Sequence, residues 1–441
     1  MVEIINRHIV KYLFITVLLN LNMKKWLLAS LVILMGLCTV AQPDYQSAAN
    51  HFRDFYNKHM PDSIFKMFSP KVQQMLPVEK TRLMVQQLHT QFGELNGIDP
   101  ISKEEHLASY KASFTKATFT MNLVMDSLGK LDGLRFVPYQ EAGAGLPKEK
   151  SNFNLTTTDA TIYGTLTKPE NNSKIPVILI IAGSGPTDRN GNSPLGVNAN
   201  VYKMLADSLM HHGFACLRYD KRGIGESINA QKRAILFEDM IRDAEGFIRL
   251  LKADQHFSKV IVLGHSEGSL IGMVAAEQAK ADAYISFAGA GERIDKIMVS
   301  QFSEQSKELG VKAAILLDSL RKGFDINSGD SILQNIFTPA VQPYMTSWLK
   351  YNPQEEIKKL TIPLLIVQGT TDIQVRVEDA KELKAVKPSA TLRIIENMNH
   401  IGKKAPADRQ QNIATYAMPD LPLIPELVSS VDTFVNAVNK R

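Results

Sequence analysis

One stretch of five residues, 264–268, restricts the fold of this chain more than any other part of its sequence. It reads Gly-His-Ser-Glu-Gly, follows the apolar, β-branched run 260–263 and precedes the small apolar residues of 269–276. A serine in a tight turn between a strand and a helix projects its Oγ from the top of a sheet. The sequence therefore predicts a nucleophile at Ser266, with the Glu267 N–H facing a developing oxyanion. A glycine-rich turn without chemistry is the alternative.

Predicted strands and helices alternate from Asn152 to the end of the chain. Such alternation is typical of a mostly parallel sheet that helices cover on both faces. Residues 292 to about 358 break the rhythm with four helical segments, which predicts a helical cap inserted over the top of the sheet. The expected fold class is therefore α/β. The predicted strands are 177–181, 215–219, 260–263, 283–287, 363–368 and 391–395.

The residues before this region follow a different pattern. Apolar residues have helical spacing over 45–56 and 76–92, and alternating stretches follow at 108–112, 117–124 and 131–137. Helices followed by a strand meander predict a small α+β domain.

A linker rich in Gly, Lys and Glu at 140–150 separates the two patterns. We therefore expect a small domain at 42–145 and a larger α/β domain at 146–441. The small domain offers no phosphate loop and no nucleophile with a base. Its histidines lack the regular spacing of metal ligands, so we expect solvated or packed rings and predict no metal site; they are His51, His59, His89 and His106.

The N-terminus has the features of a secretory signal peptide over 1–41. Basic residues after Met23 precede the apolar stretch 26–37, which is too short to span a bilayer comfortably, and small residues follow at 39–41. We interpret Met23 as the true start; a longer membrane anchor that includes 1–22 is the alternative. We predict no stable membrane span in the mature chain and a periplasmic or extracellular location in a bacterium.

Composition narrows the choice of partners. The formal net charge of +5 is small for 441 residues, and no basic run is interleaved with aromatic residues, which argues against nucleic acid. Cys38 lies in the predicted signal region, and Cys216 lies in an apolar strand, where we expect it to pack as a small apolar residue. A mature chain without a disulfide is compatible with a bacterial periplasm.

A serine nucleophile needs a base, and His400 is the sole histidine after Ser266 in the sequence. It follows the last predicted strand, so it lies on a loop at a strand end, where open α/β sheets build their sites. Asp372 follows the preceding strand and is the predicted acid, which accepts the imidazole Nδ1–H. Asp379 and Glu396 are the rival carboxylates.

The second oxyanion donor is expected directly after the strand 177–181. Gly-Ser-Gly-Pro at 183–186 fits, with the Ser184 N–H as the donor, because its glycines let the backbone approach a substrate. We expect Asp188 and Arg189 to form a local pair that holds this loop. A second glycine-rich turn carries three polar residues that we interpret as structural: Asp220, Arg222 and Ser227.

From about Asn152 to the C-terminus, the chain resembles the α/β-hydrolase superfamily. The family usually has Asp where Asn190 stands, and residues 43–140 resemble, more weakly, a small domain of unknown role that precedes such hydrolases. Three motifs resemble a bacterial secreted serine-esterase branch: Gly-Ser-Gly-Pro-x-Asp-Arg at 183–189, Tyr-Asp-x-Arg-Gly-x-Gly-x-Ser at 219–227 and Gly-Ala-Gly-Glu-Arg-Ile-Asp at 289–295.

The motifs and the resemblance imply a serine hydrolase that cleaves carboxylic esters through an acyl-enzyme on Ser266. The expected substrate is a small-molecule ester, and no metal or organic cofactor is needed. A peptidase, an amidase or an acyltransferase would use the same serine with His400 and Asp372. A non-catalytic binding protein on a hydrolase scaffold is the alternative from a different class. The sequence leaves the acyl-chain length and the oligomeric state open.

Overall fold

The structure is a computed structural model that describes residues 44–103, 107–139, 150–170, 174–327 and 330–440. The predicted signal peptide and most of the predicted linker lie outside these residues. The described chain forms two compact units, one on each side of residue 141. Within the described ranges, no helix is long and apolar enough to cross a membrane.

The first unit packs helices on a four-stranded antiparallel sheet with the strand order β1-β2-β3-β4. Phe52 and Tyr56 of the first helix are fully buried against Met121 and Leu123 of the third strand. The prediction of a small α+β fold is confirmed. The elements are α1 (Tyr45–Asn57), α2 (Pro61–Met67), α3 (Pro70–Met75), α4 (Val78–Phe92), β1 (Leu95–Lys103), β2 (Leu107–Phe114), β3 (Thr118–Met125) and β4 (Leu131–Pro138).

The sequence does not predict strand β1, because Gly97 and Pro100 are unfavourable in strands. The strand pairs with β2 at one edge of the sheet, and its register shifts between Leu95 and Gly97 and again between Pro100 and Ser102. An edge strand tolerates a proline, since one side of the strand makes no ladder hydrogen bonds. Pairing with β2 thus outweighs the low strand propensity of Gly97 and Pro100.

The second unit is built on a nine-stranded sheet with the order β13-β12-β11-β10-β7-β8-β6-β5, and β9 pairs with β6. Six neighbouring strands of this sheet are parallel, and the antiparallel strands β5, β6 and β9 lie at one side. The strands are β5 (Phe153–Thr156), β6 (Ala160–Thr167), β7 (Ile175–Ile181), β8 (Ala215–Tyr219), β9 (Ile228–Asn229), β10 (Phe257–His265), β11 (Ala283–Phe287), β12 (Leu364–Gly369) and β13 (Thr391–Ile395).

Helices cover both faces of this sheet, as the sequence predicts. Along β10, Val260 and Val262 belong to the apolar core on one face, and Ile261 and Leu263 belong to the core on the other. Helices α6, α7 and α13 pack on the first face, and α5 and α15 pack on the second. The helices are α5 (Val201–His211), α6 (Phe237–Ala253), α7 (Glu267–Gln278), α13 (Val377–Val386), α14 (Arg409–Ala414) and α15 (Pro425–Asn439).

A helical insertion follows β11, where the sequence predicts the cap. Its first four helices enclose an apolar cluster of their own around Leu317 and Phe337. Its last helix begins at Pro353 with Asn352 as the N-cap, and its Ile357 joins the core of the sheet. The sequence analysis does not predict this last helix. The helices are α8 (Ile294–Gln305), α9 (Lys307–Arg321), α10 (Ser331–Ile336), α11 (Gln342–Trp348) and α12 (Pro353–Lys359).

Candidate active site

Ser266 lies in the turn between β10 and α7 with a backbone φ of 56° and ψ of −119°. Non-glycine residues rarely adopt this conformation, and they keep it only where the surroundings enforce it. Ser266 N donates to Phe287 O at 3.0 Å. A Cβ atom on Gly268 would lie 2.3 Å from the carbonyl oxygen of Ile181, and one on Gly264 would lie 2.2 Å from that of Gly268. Glycine is therefore required on both sides of the serine.

His400 and Asp372 meet at the ends of neighbouring strands. His400 Nδ1 is 2.8 Å from Asp372 Oδ2, and both side chains are almost fully buried. The other oxygen, Oδ1, accepts from the backbone N–H groups of Gln374 and Val375 at 2.8 and 3.0 Å. A carboxylate only accepts here, so Nδ1 carries the proton and His400 Nε2 keeps a lone pair.

The protonation of Asp372 reflects opposing influences. Burial raises the pKa of the Asp372 carboxyl, but the positive charge that His400 carries when protonated and the hydrogen bonds that the carboxylate accepts outweigh burial and hold this pKa below its usual value. Asp372 is therefore suited to remain ionised beside the imidazole.

The rival carboxylates have other partners. Asp379 accepts from the backbone N–H groups of Gly291 and Arg376 at 2.8 and 3.0 Å. Glu396 lies 3.4 Å from Thr370 Oγ1. In the described part of the chain, Asp372 is the carboxylate that is hydrogen-bonded to His400.

His265, which directly precedes Ser266, connects two loops of the site. Its Nε2 lies 2.8 Å from the carbonyl oxygen of His400, which only accepts, so Nε2 donates. Its Nδ1 therefore accepts from Tyr202 Oη at 2.7 Å, and this hydroxyl in turn accepts from Gly183 N at 3.0 Å. Burial, together with the charge of His400, lowers the pKa of His265 to about 3, so the ring is neutral at physiological pH. The hydrogen bonds of His265 to these two loops are not predicted from the sequence.

The loop after β7 approaches the serine closely, because a Cβ atom on Gly183 would lie 3.2 Å from Ser266 Cβ. Among the described residues, the amides of Ser184 and Glu267 donate to no protein acceptor. The first of these amides belongs to the trans peptide that also carries the Gly183 carbonyl, so N–H and C=O point in opposite directions. Fixing that carbonyl therefore fixes the direction of the Ser184 N–H.

Lys221 is the residue that holds this carbonyl. Its Nζ donates to Gly183 O at 2.6 Å and lies 3.6 Å from Glu267 Oε2, and its side chain is 9 % exposed. Burial lowers the pKa of Lys221, and the charge of Glu267 opposes this shift. Tyr344 of α11 donates to Glu267 Oε1 at 2.8 Å, which connects the cap to the same network. The lysine of the 219–227 motif is thus a site residue that sequence reasoning missed.

A cavity of about 160 Å³ opens above the serine, between the sheet and the cap. Ser184, Ser266 and Glu267 line it from the sheet side. Cap residues add apolar walls and a carboxylate: Ile294, Ile297, Trp348 and Glu292. The volume suits a small substrate group.

The expected pair of Asp188 and Arg189 is wrong. Asp188 Oδ1 accepts from the backbone N–H groups of Asn190 and Asn192 at 2.8 and 2.9 Å, because these amides of its own turn are the nearer donors. Arg189 instead forms a buried ion pair with Asp220, with Nη2 and Oδ2 2.7 Å apart. The arginine thereby joins the loop after β7 to the loop after β8.

The three polar residues of the 219–227 turn have structural contacts, in line with the prediction. Asp220 accepts from Arg189, and Ser227 Oγ donates to the Asp220 carbonyl at 2.8 Å. Arg222 pairs with the buried Asp243, with Nε 2.7 Å from Oδ2.

Known proteins resemble both units of the chain. Residues 195–327 match the family model Hydrolase_4, described as serine aminopeptidase S33, and residues 49–134 match DUF3887, a protein family of unknown function. Esterase EstD of Thermotoga maritima is 26% identical over 368 residues, which cover 79% of this chain and 86% of that protein.

Two solved structures are similar to this chain. Est1E from Butyrivibrio proteoclasticus with bound ferulic acid is 18% identical, covers 65% of this chain and 99% of its own, and has a TM-score of 0.43. The Pyrococcus furiosus esterase Pf2001 is 16% identical, covers 68% of this chain and 97% of its own, and has a TM-score of 0.45.

The second unit has the fold of the α/β-hydrolases, as the sequence predicts. The Hydrolase_4 and EstD matches confirm the predicted resemblance to the α/β-hydrolase superfamily, and the DUF3887 match fits the predicted N-terminal domain of unknown role. They support an enzyme of the hydrolase class and of the esterase type.

Proposed function

We propose that this chain hydrolyses carboxylic esters through an acyl-enzyme on Ser266. The observation that carries the proposal is the buried hydrogen bond of 2.8 Å between His400 and Asp372. The His400 loop is joined through His265 to the strained turn of β10 and α7 that holds Ser266. An imidazole with its Nδ1 proton bound to a carboxylate has an Nε2 lone pair ready to accept a hydroxyl proton.

The proposed reaction has two steps. Ser266 Oγ attacks the acyl carbon while His400 Nε2 takes the hydroxyl proton, and the histidine then protonates the departing alcohol oxygen. A water molecule attacks the acyl-enzyme in the second step, with His400 as base, which releases the acid and restores the serine. Asp372 orients the imidazole and stabilises its cation in both steps.

Two backbone amides stabilise the oxyanion in this proposal, those of Ser184 and Glu267. Lys221 supports the proposal because its bond to the Gly183 carbonyl orients the Ser184 N–H before the substrate arrives. Preorganised donors are more effective than water because they need no reorientation as charge develops.

An aminopeptidase is the second candidate, favoured by the description of the Hydrolase_4 family and by one acidic residue of the cavity. Glu292 lines the cavity from the cap side, where a carboxylate would attract the ammonium group of a peptide N-terminus. Glu267 is less suited to this role because Lys221 and Tyr344 already contact its carboxylate.

The test is hydrolysis of p-nitrophenyl esters from acetate to octanoate and longer, by the wild-type chain and by Ser266→Ala. We expect turnover that is lost in Ser266→Ala and kept in the control Ser429→Ala, which changes an exposed serine of α15. Aminoacyl p-nitroanilides measure the peptidase alternative in the same assay. Accumulation of an acylated acceptor would instead indicate an acyltransferase, and a folded protein without turnover of any substrate would favour a binding role.

A further inference from the structure

Three side chains of the first unit converge although they lie far apart in the sequence. His59 follows α1, His89 lies in the last turn of α4 and Glu94 directly precedes β1. Each offers one candidate ligand atom, and these atoms all lie within 4.8 Å of one another. The two imidazole rings have centroids 4.1 Å apart. Because three different elements supply the three residues, their spacing in the sequence is irregular and does not indicate a metal site.

Tyr56 contacts the backbone of His59 and the ring of His89. Its carbonyl oxygen accepts from the backbone N–H of His59 at 3.0 Å and lies 2.6 Å from His89 Nε2. A carbonyl only accepts, so Nε2 of His89 carries the proton and Nδ1 keeps the lone pair. Histidines that bind metals usually donate their other ring N–H to a carbonyl or carboxylate in this way. The tyrosine ring also stacks on the His89 ring, with centroids 3.9 Å apart.

The main chain around Glu94 is held by hydrogen bonds to the residues on either side of it. Tyr56 Oη donates to Gly93 O at 2.8 Å, and Asn57 exchanges two hydrogen bonds with the backbone of Leu95, at 2.9 and 3.0 Å. Glu94 lies between these two anchored residues. The end of α1 therefore holds the His89 ring, the backbone of His59 and the residues on either side of Glu94.

We propose that His59, His89 and Glu94 bind a divalent first-row transition metal ion, with solvent completing its coordination. Two neutral imidazoles and one carboxylate suit Zn²⁺ and its neighbours, whereas Mg²⁺ and Ca²⁺ prefer oxygen ligands alone. His59 and Glu94 are exposed, so the ion reaches the site from solvent. The site would give a chemical role to a unit that matches a family of unknown function.

The test is a calorimetric titration of the full chain, without an affinity tag, with ZnCl₂ and separately with MgCl₂. We expect one Zn²⁺ per chain and no binding of Mg²⁺. His59→Gln, His89→Gln and Glu94→Gln should each weaken Zn²⁺ binding at least about 10-fold, since even the loss of a residue that supports a ligand has such an effect. The control His256→Gln, an exposed histidine of the second unit, should bind as the wild type does.

Circular dichroism of each variant shows whether it folds, and the exposed His59 and Glu94 keep the test decisive if His89→Gln does not fold. The proposal is overturned if the wild-type chain binds no Zn²⁺. It is also overturned if the folded His59→Gln and Glu94→Gln variants bind Zn²⁺ as tightly as the wild type does. Ester hydrolysis is not a readout here, so failure of the metal site and failure of the proposed hydrolase activity are separate results.

Discussion

Several residues of the site form hydrogen bonds whose direction is fixed, because a carbonyl oxygen only accepts and an ammonium group only donates. His265 donates to one carbonyl and accepts from one hydroxyl, and Lys221 donates to another carbonyl. Each contact joins loops from different strands, so the candidate oxyanion donors and His400 are held by the same buried network.

Replacing Lys221 with Met should lower kcat for ester hydrolysis about 10- to 100-fold with little change in KM. The Ser184 N–H would lose its fixed direction, and the loss of an oxyanion donor typically costs 100-fold or more in kcat, or about 3 kcal/mol. Steady-state kinetics check this, with Lys203→Met as the control, since Lys203 pairs with Asp207 on the surface of α5. A folded Lys221→Met variant with wild-type kcat would contradict this role.

His265 should make the stability of the protein depend on pH. Its pKa is about 3 in the folded chain and 6.5 in the unfolded chain, so between these values the unfolded state binds a proton that the folded state excludes. The free energy of unfolding should therefore fall on acidification from pH 6.5 towards 3, by about 1.4 kcal/mol per pH unit from this residue. Urea unfolding at several pH values should show a smaller slope for His265→Gln, whatever its absolute stability; equal slopes would disprove the assignment.

At the scale of elements, the turn between β10 and α7 is tightly constrained by its neighbours. The backbone of α7 approaches the end of β7 closely at Gly268. Strand β7, helix α7 and the loop after β7 therefore meet at one point. The cap joins the same point through Tyr344 of α11, whose hydroxyl reaches Glu267. Substitutions in this turn are therefore expected to disturb both the loop after β7 and the cap.

Gly268→Ala should abolish most activity and lower the free energy of unfolding by about 1 to 3 kcal/mol, the usual cost of overpacking. Its Cβ atom would lie 2.3 Å from Ile181 O and 2.6 Å from Ala182 O, and this backbone must move to make room. The control is Gly97→Ala, where the nearest atom to a new Cβ is 3.9 Å away. Denaturant unfolding and ester hydrolysis measure both effects; a Gly268→Ala variant as stable and active as the control would contradict the packing argument.

At the scale of the whole molecule, the sequence predicts the features that patterns of neighbouring residues determine. The buried runs and the 264–268 motif predict the parallel sheet, and chain order with a single downstream histidine selects Ser266, Asp372 and His400 as candidates. Strand β1, which it misses, forms because it pairs with β2, although Pro100 is unfavourable in a strand. The pattern within β1 itself does not indicate this pairing.

The contacts that sequence reasoning misses at the sites have the same origin. His265 and His400 are 135 positions apart, and Lys221 and Gly183 are 38 apart. The carbonyl of Tyr56 contacts both His59 and His89, through the backbone N–H of the first and the ring of the second. A motif reveals side chains that must be neighbours in sequence, whereas these meet through tertiary packing.

Covalent labelling with a fluorophosphonate, located by mass spectrometry of proteolytic peptides, tests the central claim most directly. We expect one label per chain, on Ser266, no label in Ser266→Ala and strongly slowed labelling in His400→Ala, because the serine then lacks its base. Labelling of another residue, or labelling of Ser266 at an equal rate in His400→Ala, would contradict the proposed nucleophile and base.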